Sequence, residues 1–137
     1  MGDRDIVALI EASEAEKPTM RGPLQEARKQ LMPLVRIAEL EIDPKQIGSY
    51  RALLAEEIEA SVRVEPGVLF LHAVAVKGTP EKVRVIECYA DRAAYEAHLT
   101  TPHFLKYKAQ TASMVRSLRL IETDPIALQA KSGAISN

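Results

Sequence analysis

The sequence predicts an α+β fold, a four-stranded antiparallel sheet with its helices on one face. Three observations lead there. Four apolar stretches rich in β-branched residues are separated by segments with helical spacing. The second and third stretches are joined too tightly for anything but a hairpin. The resulting order, strand-helix-strand-strand-helix-helix-strand, is the ferredoxin-like split βαβ arrangement.

Each element has its own signals. Val35 to Ile42 reads as the first strand. Asp43-Pro44 opens a helix, and Ile47, Tyr50, Leu54, Ile58 and Val62 mark its apolar face. Glu56, Glu57 and Glu59 are expected on its solvated side. Glu65-Pro66-Gly67 is a sharp turn. In the second strand, Val68 to Val76, alternation puts Val68, Phe70, Val74 and Val76 on one face and Leu69, Leu71, Ala73 and Ala75 on the other. Gly78-Thr79-Pro80 turns into the third strand, Lys82 to Tyr89, where Val83, Val85, Glu87 and Tyr89 share a face. Asp91 caps a helix over Arg92 to Leu99, and Thr101-Pro102 opens another over His103 to Met114. Val115 to Ile121 is the last strand, and Asp124-Pro125 closes the domain. The domain thus spans residues 34–125. Residues 1–33 are an N-terminal arm, weakly structured or helical, and 126–137 a flexible tail.

The second and third strands are apolar on both faces, and the helices cover one. The other is expected to pair with a second copy, giving a homodimer with two-fold symmetry.

Composition narrows the function classes. The chain has 137 residues, 18 Lys and Arg against 19 Asp and Glu, and a net charge of −1. No basic stripe exists to hold nucleic acid or an anionic membrane. No apolar run is long enough to span a bilayer, the N-terminus lacks a signal-peptide pattern, and the single cysteine, Cys88, fits a reducing compartment. A cytoplasmic protein is expected.

The six glycines form neither a dinucleotide fingerprint nor a phosphate loop. The three histidines lack zinc-site spacing, so no metal is expected, although His98 and His103 remain able to meet a carboxylate in three dimensions. The chemistry concentrates between Glu87 and Tyr107. Glu87, amid apolar neighbours, needs a partner such as a tyrosine hydroxyl. His98 suits proton transfer near neutral pH, or capping of its own helix. His103 begins a helix, where its neutral form is favoured. Tyr89, Tyr95 and Tyr107 read as packing residues whose hydroxyls can line a pocket, and Cys88 as a core residue.

Taken in register, Glu65-Pro66-Gly67, then Glu87-x-Tyr89-x-Asp91, Ala94-x-x-x-His98 and Thr101-Pro102-His103-Phe104 resemble the antibiotic biosynthesis monooxygenase domain family, on the side of the quinol monooxygenases. The resemblance covers roughly residues 34–123. It implies a dimeric α/β barrel and oxidation of an electron-rich aromatic ring by molecular oxygen with no cofactor. It further implies His98 as the base, Tyr89 and His103 as holders of the oxyanion, Phe104 and Tyr107 as pocket wall, and Glu87 as an orienting, substrate-side group. The chain has no tryptophan, and its only asparagine is Asn137, unlike the haem-degrading and antibiotic-tailoring branches. An isomerase acting on a small carbonyl compound and a non-catalytic ligand-binding dimer are the alternative readings.

Overall fold

The computed structural model describes residues 22–24 and 32–133. The N-terminal arm expected over residues 1–33 lies almost wholly outside the described residues, as does the tail from 134 onward. The elements are β1 (Leu34–Ile42), a 3-10 turn (Pro44–Gln46), α1 (Ile47–Val64), β2 (Val68–Val76), β3 (Thr79–Tyr89), α2 (Arg92–His98), α3 (Pro102–Thr111) and β4 (Val115–Glu122). The order is the predicted one. The strands form one antiparallel sheet in the order β2-β3-β1-β4.

The inner face of the sheet carries the core. On β1, Arg36, Ala38, Leu40 and Ile42 alternate inward and are all buried. Opposite them on β3 stand Glu87, Val85 and Val83, and on β4 Leu120 and Leu118. Tyr50 and Leu54 of α1 complete this cluster. A neighbouring cluster of Val68, Leu71, Tyr89 and Tyr95 fills the space under α2.

Two expectations need correction. In β2, Val68 pairs with Tyr89 and Phe70 with Cys88, so the register shifts by one residue at Leu69. This bulge puts Val68 and Phe70 on opposite faces, and Leu71 rather than Phe70 follows Val68 inward. In α1, the stripe drawn through apolar residues drifts, because each step of four residues rotates about 40° around the helix. Val62 is consequently exposed. The buried stripe is Tyr50, Leu54, Glu57 and Ser61, in steps of four and three. Glu57, expected in solvent, is 6% exposed. Smaller differences lie at element ends. β3 begins at Thr79, and α3 stops at Thr111, where the amide of Met114 donates to the Thr111 carbonyl.

The outer face of the sheet is mixed. Leu69, Val74 and Val76 are exposed there or at its edge, and Phe70 stacks on His72 at 4.6 Å. One cross-strand row is ionic, with Glu39 between Arg84 at 3.2 Å and Arg119 at 3.7 Å.

Candidate active site

A cavity of about 90 Å³ lies between the inner face of the sheet and the helices. The two-residue period of β3 aims both Glu87 and Tyr89 into it. The Tyr89 hydroxyl donates to Glu87 Oε1 at 2.6 Å. Arg36, Glu87's register partner on β1, lies over the Tyr95 ring at 4.4 Å and reaches Glu122 Oε1 at 2.9 Å.

His98 is the last residue of α2, a helix capped at its start by Asp91 accepting from the Ala94 amide. Thr101 then pins α2 to α3. Its hydroxyl donates to the His98 carbonyl at 2.8 Å and accepts from the Phe104 amide at 3.3 Å. This places the His98 ring 4.9 Å from Phe104 and 5.4 Å from Tyr89, with 3% of the residue exposed.

Two carboxylates flank that imidazole. Glu65 Oε2 lies 2.9 Å from His98 Nδ1 and 2.6 Å from His103 Nε2. Glu57 Oε1 lies 3.6 Å from His98 Nε2, beyond hydrogen-bonding distance, and accepts from the Ser61 hydroxyl. The turn that carries Glu65 is held against α2. A Cβ on Gly67 would sit 2.5 Å from Ala94 Cβ, so only glycine permits this approach. Gly67 stands two residues after Glu65, and Ala94 one helical turn before His98.

The surroundings push these carboxyls in opposite directions. Burial raises Glu57 above the usual carboxylate range, against the Ser61 hydrogen bond and the two imidazoles, which pull it down. Burial likewise raises Glu87, opposed by the Tyr89 hydroxyl, His98 and Arg36. Burial also acts to raise Glu65, but the hydrogen bonds to His103 and His98 outweigh it and its pKa is lowered. The tyrosines stay protonated. Burial raises Tyr89 well above its ordinary value, with the Glu87 charge adding to it, and raises Tyr95 to about 12. Tyr107, also raised by burial, shares a 2.6 Å hydrogen bond with the Tyr50 hydroxyl.

Of the residues singled out in the sequence, Glu87, Tyr89, His98, Phe104 and Tyr107 all line this cavity, and Tyr95 joins them. His103 does not. It stands behind Glu65 and lines a separate shallow groove with Glu56 and Lys106. Sequence reasoning missed Arg36, Glu57 and Glu65. Glu65 was visible only as part of a turn, and Glu57 only through the four-and-three spacing it shares with Tyr50, Leu54 and Ser61. Among the described residues, Glu57, His98 and His103 bring donor atoms within 4.8 Å of one another, two imidazoles and a carboxylate, donor types that suit a divalent metal. No described helix is long and apolar enough to cross a membrane.

Comparisons with known proteins agree with this fold. A family model for antibiotic biosynthesis monooxygenase matches residues 33–110. A solved structure from Bacteroides thetaiotaomicron that carries the same family name is similar at 49% identity and a TM-score of 0.71, over 73% of this chain and 97% of that one. A Lactobacillus acidophilus structure named for a monooxygenase is similar at 26% identity and a TM-score of 0.64, over 66% of this chain and 43% of that one. A Nitrosomonas europaea structure shares the fold at 19% identity and a TM-score of 0.66, over 71% of this chain and 93% of that one. No curated protein matched the chain. The cavity residues from Arg36 through Lys108 fall within the matched span, and the chain belongs to the antibiotic biosynthesis monooxygenase family.

Proposed function

We propose that the chain is a monooxygenase that oxidises a quinol or a related electron-rich phenol with molecular oxygen and needs no cofactor. The observation that carries this reading is the buried imidazole of His98. It is set between Glu65 and Glu57 at the wall of a cavity in which aromatic and aliphatic side chains surround a few charged groups, Arg36 and Glu87 among them.

In such a reaction the substrate is its own reductant. His98 takes the phenolic proton through Nε2, and the resulting phenolate gives up electrons to oxygen. One oxygen atom enters the ring as a new carbonyl, and the other leaves as water with the ring hydrogen displaced at that carbon and the phenolic proton that His98 gives back. The pocket must grip the oxyanion and keep water out. Glu57, whose pKa burial raises, lines the same cavity 3.6 Å from His98 Nε2, next to where that oxyanion forms. The Tyr89 hydroxyl, its hydrogen donated to Glu87, has lone pairs left to accept from a second hydroxyl of a quinol, while Phe104 and Tyr107 supply flat walls. The same reading includes a homodimer formed through the outer face of the sheet, whose apolar rows a single chain leaves uncovered.

Oxygen uptake by chelator-treated protein across a panel of quinols and phenols tests the activity. Turnover of at least one member is expected. His98→Ala should lower it by about 10²–10⁴-fold, the usual contribution of a general base. Absence of uptake above an unfolded control for every member, or a His98→Ala variant as fast as the parent, defeats the proposal.

A further inference from the structure

We infer that Glu65, backed by His103, is a positioning residue that holds His98 in the Nδ1–H tautomer and so makes the cavity-side Nε2 the basic nitrogen. The role matters for the reaction proposed above and rests on that reading of His98 as the base. The arrangement itself stands on geometry.

A neutral imidazole carries one hydrogen, and either nitrogen can hold it. In His98 the two nitrogens have different surroundings. Nδ1 lies 2.9 Å from Glu65 Oε2, an acceptor-only atom when the carboxyl is ionised. Nε2 has Glu57 Oε1 at 3.6 Å, too far for a hydrogen bond. The hydrogen therefore belongs on Nδ1, and the lone pair on Nε2.

His103 stabilises the arrangement from behind. Its Nε2 lies 2.6 Å from the same Glu65 oxygen. Two N–H donors converging on one oxygen fix the carboxylate's rotamer and favour its ionised form. His103 is partly exposed and does not line the cavity, so its contribution reaches the substrate only through Glu65 and His98. This role differs from the oxyanion contact that the family resemblance implied for it.

The backbone sets the spacing. The Gly67–Ala94 contact seats the Glu65 turn directly on α2, one helical turn before His98. When Nε2 takes a proton, the imidazolium forms beside Glu65, whose negative charge is already in place and need not reorganise.

Long-range ¹H–¹⁵N spectra of histidine-labelled protein read the tautomer directly and need no substrate. The three histidines are assigned with single glutamine variants, and spectra are compared at a pH where titration shows His98 to be neutral. In the parent protein, His98 should show a protonated Nδ1 and a bare Nε2. Glu65→Ala should release it to the Nε2–H form that free imidazole side chains favour. Glu65→Gln, whose amide oxygen still accepts, should keep the parent pattern. An Nε2–H tautomer in the parent overturns the inference, and that spectrum decides even if Glu65→Ala does not fold. An unchanged pattern in a folded Glu65→Ala, or its loss in Glu65→Gln, overturns it equally. A protein with the expected tautomer that oxidises no quinol removes the proposed activity and leaves this arrangement intact.

Discussion

Glu57 and Glu65 sit on either side of one imidazole, yet their environments give them opposite pH signatures. Glu57's folded pKa lies above its ordinary value of 4.5. The folded state therefore holds a proton that the unfolded chain releases. The associated stability is complete below 4.5 and is lost as pH rises through the raised value. Glu65's pKa is lowered, so its contribution is present above 4.5 and is lost as pH falls through the lowered value. Each tenfold change in acidity carries about 1.4 kcal/mol. Thermal unfolding across a pH series should show a flatter alkaline side in Glu57→Gln and a flatter acid side in Glu65→Gln. Identical profiles in parent and variants would show that neither carboxyl is displaced. The sequence allowed only part of this to be read. Glu87 and Tyr89 stand two apart on a strand, and the strand period alone puts them on one face. Glu57 and Glu65 lie 41 and 33 residues before His98 in the chain. Their approach depends on how α1 rotates and how its closing turn docks, and neither leaves a local pattern.

Among the elements, hairpin, caps and turns were legible because each depends on a few adjacent residues. Asp91 and Thr101 cap α2 and α3 as their positions suggested. The faces of β2 and α1 were not. One inserted residue at Leu69 reverses a strand's alternation, and a few degrees of helix rotation per residue move an apolar stripe off the core. Neither changes the composition of its segment. The contact between the Glu65 turn and α2 yields a prediction at this scale. Gly67→Ala forces a methyl into a space already occupied by the Ala94 methyl, and neither side chain can rotate away. The expected cost is about 1–3 kcal/mol, the usual range for overpacking, measured by chemical denaturation. The His98 tautomer should be disturbed together with stability. A variant as stable as the parent would mean that the turn and the helix part easily.

For the molecule as a whole, the sheet is one residue thick between two different environments. Its inner face holds the cavity, and its outer face carries exposed apolar side chains beside an ionic row. The split βαβ order was readable from the sequence, since it follows from element order and connection length. The second copy proposed on the outer face can be tested with Val74→Asp. Val74 is 54% exposed in the single chain, so a charge there leaves the fold intact. Buried against a partner, the same charge would be costly. Sedimentation should show a dimer for the parent and a shift toward monomer for Val74→Asp, with thermal unfolding confirming that the variant is folded. A parent that sediments as a monomer at micromolar concentration would refute the pairing.

The meeting of Gly67 and Ala94 also has a historical side. Alanine at position 67 collides with the methyl at 94, whereas glycine at 94 would make room for it. The double variant should recover most of what Gly67→Ala loses, less the cost of roughly 1 kcal/mol for glycine inside a helix. Substitutions at these two positions are then not interchangeable in time. A lineage can reach alanine at 67 by way of glycine at 94, but the reverse order passes through a destabilised ancestor with its histidine out of place.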